Sequence, residues 1–302
     1  MSATHIRHLL KNSLLSLLLT LPLTTVADTL QRIRDNNSVV LGFVPAYAPF
    51  SDGDAQQAQG FTIDLCLKIS ERLKRELALP DLQVRFQPVS IADMLPAVSE
   101  GRVDILCSPV DETLKRRQQV SFSLPIFISG LGVIVRRDAH PALLKRLENP
   151  PQEKGPLWRG NLHEEFKRYR FAVLASSNSA DRVRQQMLKL GLKSEPLEAK
   201  STEEGISLVA AGTVDAFFDD RVVLLNYAAR QAENDNLLVA QRLLELTPAA
   251  LALARNDDGF RLLVDSTLSE LFHSPAGETL YRSHFGEPST ETRQLFGLYP
   301  RP

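Results

Sequence analysis

A chain of 302 residues with 43% hydrophobic and 24% charged residues has the composition of an ordinary globular protein, long enough for one large domain or two of average size. Its formal charge is −1, and −3 without the two basic residues of a leader. Such near balance excludes a general nucleic-acid binder, which carries a basic surplus.

Residues 1–27 read as a secretory signal peptide: Arg7 and Lys11 form a positive start, Leu14–Leu23 an apolar core, and Thr25-Val26-Ala27 a small-residue cleavage site before Asp28. The apolar run is too short to cross a bilayer, and no later segment reaches 18 apolar residues, so no membrane span is expected in the mature chain. Val39–Phe43 reads as a strand, Pro45–Ser51 as a loop and Phe61–Leu77 as a helix with apolar residues at Phe61, Leu65, Ile69 and Leu73. Val84–Phe86 is a second strand, Ile91–Ser99 a helix and Val103–Cys107 a third strand. This β-α-β-α-β run implies a parallel sheet. Val120–Phe122 and Gly132–Arg136 continue in extended form. Residues 138–163, with Pro150-Pro151 and Gly155-Pro156, read as a surface excursion. Beyond it follow a strand at Phe171–Ala175, a helix at Ala180–Leu190, a helix at Thr202–Ala211 and a strand at Val214–Phe218. Leu237–Ala240 and Ala250–Ala254 are short strands and Phe260–Leu271 a helix. Gly286 and Pro288 are expected to end the packed region.

Two stretches echo each other 111 residues apart, AVSEGRVDILC at Ala97–Cys107 and LVAAGTVDAFF at Leu208–Phe218. Each reads as a helix closed by a glycine (Gly101, Gly212), then Val-Asp, then a buried strand. A polar cluster follows each copy, Ser108–Thr113 and Asp219–Arg221. Ligands of open α/β sheets sit outside the carboxyl ends of strands. Two α/β lobes with facing polar edges, and a cleft between them, are therefore expected. Only two cysteines exist, Cys66 and Cys107. In an oxidising compartment they can pair, and buried thiols are the alternative. The histidines show no metal or triad spacing, and no phosphate-loop, dinucleotide or nucleophile-elbow motif occurs. No cofactor and no metal are implied.

Four stretches resemble the periplasmic solute-binding proteins of the polar amino-acid type, the receptor subunits of ABC importers. They are Ala48-Pro49-Phe50-Ser51 with Gly60-Phe61-x-x-Asp64-Leu65; Gly101-x-Val103-Asp104; Thr113-Leu114-Lys115-Arg116-Arg117-x-x-Val120-x-Phe122-Ser123; and Val214-Asp215-Ala216-x-x-x-Asp220-Arg221. The resemblance spans roughly residues 38–288. It implies the two-lobed periplasmic-binding-protein fold, with lobe 1 at 38–136 plus 250–302, lobe 2 at 137–249, and a hinge motion that encloses a ligand. It also implies an inner-membrane ABC permease as partner, an amino acid or similar small zwitterion as ligand, and a periplasmic location. By the same resemblance Arg116 holds the ligand carboxylate and Asp220 its ammonium; Ser177, Asn178 and Ser179 supply donors; Tyr47 covers the ligand, and Thr113 opens the Arg116 motif. Ile91 and Asp93 are further candidates for the pocket wall.

The chain departs from the family pattern where small or hydroxyl residues are usual, at Pro109, Val110 and Asp111, and has Val44 and Met94 where charged residues often stand. These departures weaken an assignment to ordinary glutamate or aspartate. Asp111 is expected to face water, Arg116 or a cationic ligand group, because an unpaired buried carboxylate is costly. Alternatives are a sensing or protein-interaction module on the same fold, and a cyclohexadienyl dehydratase-like enzyme with Asp111, Glu112 or Asp219 as general acid.

Overall fold

The computed structural model describes residues 28–148, 169–189, 195–230, 236–241 and 245–299. The leader and most of the 138–163 excursion lie outside the described residues.

The described chain runs α1 (Thr29–Asn36), β1 (Ser38–Phe43), β2 (Asp52–Gly53), β3 (Ala58–Gln59), α2 (Phe61–Glu76), β4 (Gln83–Pro88), α3 (Met94–Ser99), β5 (Ile105–Asp111) and β6 (Ser121–Arg136). It continues with α4 (Pro141–Glu148), β7 (Phe171–Leu174), α5 (Asn178–Lys189), β8 (Leu197–Ala199), α6 (Thr202–Ala210), β9 (Ala216–Asp220) and α7 (Arg221–Arg230). β10 (Leu237–Val239), β11 (Glu245–Leu253), α8 (Asp258–Phe272), α9 (Pro275–Phe285) and α10 (Thr290–Gly297) complete it.

One sheet carries the strand order β4-β1-β5-β11-β6-β9-β7-β8, with β10 beside β6. β4, β1 and β5 are mutually parallel, as are β8, β7 and β9. Between these two halves β11 and β6 run antiparallel to each other and to their outer neighbours. The molecule is thus two-lobed, each lobe a parallel α/β unit, joined by two long crossing strands. Strands alternate apolar residues between faces, so each half is covered on both sides. In β1, Val39, Leu41 and Phe43 pack under α2 and α8 while Val40 faces the cluster of Val98, Val103 and Leu106. In the second half, Phe171 and Val173 face one cluster and Ala172 and Leu174 the other.

Four expectations change. Ser121–Phe122 and Gly132–Arg136 belong to one strand, β6, which starts one residue after Val120; its far part pairs with β9 and β10, and Leu131, Val133 and Val135 pack with Phe171 and Phe218. Residues 131–136 thus lie beside β9 and β10. The strands after the echoes, expected to stop at Cys107 and Phe218, run on through Ser108–Asp111 and Asp219–Asp220, so part of each polar cluster is strand. α1, α7 and α9 are helices that the apolar spacing did not reveal. The chain beyond Pro288 is packed, not trailing: Phe296 stacks on Phe272 with ring centroids 4.0 Å apart, and Tyr299 is buried beside them.

The echoed glycines both close a helix, each at φ +71°. Gly101 N–H donates to Val98 O and Arg102 N–H to Ala97 O; Gly212 N–H donates to Val209 O and Thr213 N–H to Leu208 O. This doubled pattern ends a helix on a left-handed residue that glycine adopts without strain. Cys66 on α2 and Cys107 on β5 are joined in a disulfide, Cα to Cα 6.1 Å.

Candidate functional site

The carboxyl ends of β1, β5, β7 and β9 converge on one cleft between the halves, with an empty volume of about 620 Å³ that opens to solvent. Tyr47 enters from the loop after β1, held by a Tyr47 N–H to Ser51 O bond of 2.9 Å and by its ring against Phe50. Behind it Ser108 Oγ accepts from Val44 N–H at 2.9 Å and meets Ser51 Oγ at 2.7 Å, which fixes the floor of the first lobe.

Arg116 stands on a single helical turn after β5. Its backbone N–H donates to Thr113 Oγ1 at 3.2 Å and its Nη1 to the backbone carbonyl of Asp111 at 3.1 Å. The guanidinium is tied at one edge and borders the cleft. Burial lowers its pKa, opposed by the nearby Asp111 carboxylate, yet a guanidinium stays charged.

From the second lobe come Asp219 and Asp220 at the end of β9, both buried. Asp220 Oδ2 accepts from Ser129 Oγ on β6, and its Oδ1 from Val222 N–H at 2.8 Å. Asp219 Oδ2 accepts from Thr202 Oγ1 and its Oδ1 from Asp220 N–H at 2.8 Å. Burial pushes Asp219 up to about 7 and Asp220 to about 6, and hydrogen bonds to the ionised forms hold the rise back. Burial likewise raises Tyr47, reinforced by Asp219, Asp220 and Asp111.

The structure brings Arg116, Asp220, Asp111, Tyr47, Ser177 and Ser179 to this cleft. Ser177 also caps α5: its Oγ donates to Leu174 O at 2.6 Å and accepts from Ala180 N–H at 3.1 Å. Asn178 begins α5, and its side chain lies outside the described residues. Thr113 is one step removed. It borders a neighbouring recess and serves as acceptor for the Arg116 backbone, so it positions rather than lines. Asp93 is exposed and paired with Arg102 at 2.6 Å, away from the cleft, whereas Ile91 does line it. Glu112 is paired with Arg117 and is absent from the lining.

Arg182 is the residue that sequence reasoning missed. It projects from the second turn of α5, its Nη2 donating to Thr247 Oγ1 on β11 at 2.6 Å and lying 3.9 Å from Asp111 Oδ2 of the opposite lobe. The Asp111 carboxylate thus faces Arg182 and also acts electrostatically on Arg116, whose Nη1 its carbonyl accepts. The signal was available: position 182 is one turn beyond Asn178, on the same helix face.

Among the described residues no group of histidine, cysteine or acidic side chains is arranged for a metal, and no helix is long and apolar enough to cross a membrane. His284 meets Asp64 and His273 meets Ser269 O, outside the cleft lining. The cleft offers opposed charges and hydroxyls, an arrangement for holding a small charged molecule.

Known proteins share this design. The L-glutamate/L-aspartate-binding protein of Pseudomonas aeruginosa is 25% identical over 284 residues, covering 93% of this chain and 88% of the relative. A Streptococcus pneumoniae ABC uptake transporter substrate-binding protein with bound histidine superposes with a TM-score of 0.70 at 17% identity, covering 87% of this chain and 98% of the other. The ancestral amino acid-binding protein AncCDT-1, a precursor of cyclohexadienyl dehydratase, superposes at 0.66 with 23% identity, covering 86% and 100%. The family model for bacterial extracellular solute-binding proteins, family 3, matches residues 39–287. With that match running through both lobes and the crossing strands, the chain belongs to the bacterial extracellular solute-binding proteins, family 3.

Proposed function

We propose that the protein is a periplasmic substrate-binding protein that captures an amino acid or similar small zwitterion and presents it to an inner-membrane ABC permease. The observation that carries this reading is the pairing of Arg116 from one lobe with Asp220 from the other on a single cleft. A guanidinium suits a carboxylate through two parallel charge-assisted bonds, and a buried carboxylate suits an ammonium. Ser177, Ser179 and the start of α5 add donors for the carboxylate. Tyr47 forms a wall over the ligand. In this reading the lobes divide within β6 near Ser129 and within β11 near Thr247, and they close by bending there. Residues 1–27 act as the export leader.

Arg116→Ala is expected to weaken amino-acid binding at least about 30-fold and to abolish the ligand-induced rise in melting temperature. An unchanged thermal shift would remove Arg116 from the site.

Asp219 supports a second reading, as an acid near neutrality facing the cleft. Incubation with prephenate or arogenate tests it: product formation would make the protein an elimination enzyme on this scaffold.

A further inference from the structure

The charges that border the cleft are unequal. Asp111, Asp219 and Asp220 stand against Arg116 and Arg182. If Arg116 and Asp220 take the α-carboxylate and α-ammonium, as proposed above, two acids and one guanidinium remain around the ligand side chain. That guanidinium is already engaged by Thr247 Oγ1 at 2.6 Å and faces Asp111 Oδ2 at 3.9 Å.

Of the serines in the wall, Ser108 and Ser129 are bonded to Ser51 and Asp220, and Ser177 and Ser179 serve the α-carboxylate in the reading above. Val44, Ile91, Met94, Val110, Leu131 and Leu174 are apolar. Pro109, on the strand edge that would form the ligand floor, has no N–H to donate. Next to it the Asp111 carbonyl is taken by Arg116, and the Asp111 side chain, 18% exposed, turns its carboxylate inward. An acidic ligand side chain would add a negative charge beside Asp111 and Asp219 in a partly dry site, where an uncompensated charge is most costly. A cationic side chain reverses the balance.

We propose that the cleft selects amino acids carrying a second cationic group, an ammonium or guanidinium, and rejects acidic ones, with Asp111 as the discriminating residue. This rests on the amino-acid-receptor reading above. It separates this chain from its Pseudomonas aeruginosa relative, which is named for glutamate and aspartate. Asp219 supports the assignment: its carboxyl, near its titration midpoint at neutrality, can ionise when a ligand cation approaches.

Isothermal titration of the exhaustively dialysed protein with lysine, arginine, glutamine and glutamate tests the proposal. Lysine or arginine is expected to bind at least tenfold tighter than glutamate. Asp111→Asn, with its melting temperature checked, is expected to lower the lysine-to-glutamine affinity ratio about tenfold, and Asp111→Glu to restore part of it. Glutamate binding as tightly as lysine, or a ratio unmoved by Asp111→Asn, overturns the cationic class while leaving an amino-acid receptor in place. Binding of none of the four at millimolar concentration overturns both readings together.

Discussion

The two lobes share a skeleton and differ at its tip. In each, the echoed aspartate pins the neighbouring strand rather than a ligand. Asp104 Oδ2 accepts from Val40 N–H at 2.7 Å while Asp104 N–H donates to Val40 O at 2.9 Å. Asp215 repeats this on Arg170, at 2.7 and 2.8 Å. Even the turns that follow match, with Ala46 at φ +55° and Ser176 at φ +58°. The lobes part at the residue after the shared strand. Ser108 bonds to Val44 and Ser51 in the loop after β1, whereas Asp219 carries a carboxyl to the cleft. The repeated Val-Asp is scaffold, and the residues just past it hold the chemistry.

Removing both pins asks how alike the scaffolds are. Asp104→Ala leaves the Val40 N–H without its acceptor and strands Arg32, which contacts Asp104 as well. A loss of about 3 kcal/mol in urea unfolding is expected. Asp215 is more exposed, and its arginine partner lies 3.9 Å away. Asp215→Ala is expected to cost about 1 kcal/mol. Equal losses would show that Arg32 adds nothing to the first lobe.

A titration isolates the second edge. Asp219 at about 7 and Asp220 at about 6 lie above the ordinary 3.8, so the folded state binds their protons more tightly than the unfolded chain. The stability they lend is complete below about pH 4 and is lost as pH rises through these folded values. The corresponding positions of the first lobe, Ser108 and Pro109, contribute nothing of the kind. The melting temperature of the wild type minus that of Asp219→Asn is expected to fall by several degrees between pH 4.5 and 7.5. A flat difference would place the Asp219 proton elsewhere.

Most of this skeleton is legible in the residues themselves. The two Gly-x-Val-Asp copies announce two α/β lobes, because only a left-handed residue closes a helix so tightly before a buried strand. What hides is what depends on distant partners. Pro125 and Gly130 look like breaks between two extended pieces, yet β6 passes through them because β11 shifts register opposite Pro125. α7 begins directly at Arg221, its cap Asp220 being also the last residue of β9, so strand and helix run together without a loop to mark the change. At the site, Arg116, Asp220, Tyr47 and Asp111 follow from motif position. Arg182 is signalled only by its place one turn beyond Asn178, since Thr247 and Asp111, which give it direction, are 65 residues later and in the other lobe.

Among the described residues three ion pairs straddle the cleft: Asp52–Arg230 at 3.5 Å, Lys115–Asp181 at 3.8 Å and Asp111–Arg182 at 3.9 Å. Individually such pairs contribute little, and the two at the rim are screened by salt. Together they add a salt-dependent attraction between the lobes that needs no ligand. Ionic strength is therefore a lever on lobe geometry, separate from its effect on ligand charge. Affinity for an uncharged-side-chain amino acid such as glutamine is expected to drop about two- to threefold between 0.05 and 0.5 M salt, and the drop should vanish in Arg230→Gln combined with Lys115→Gln. The rims of this receptor act as a weak spring whose stiffness the surrounding electrolyte sets.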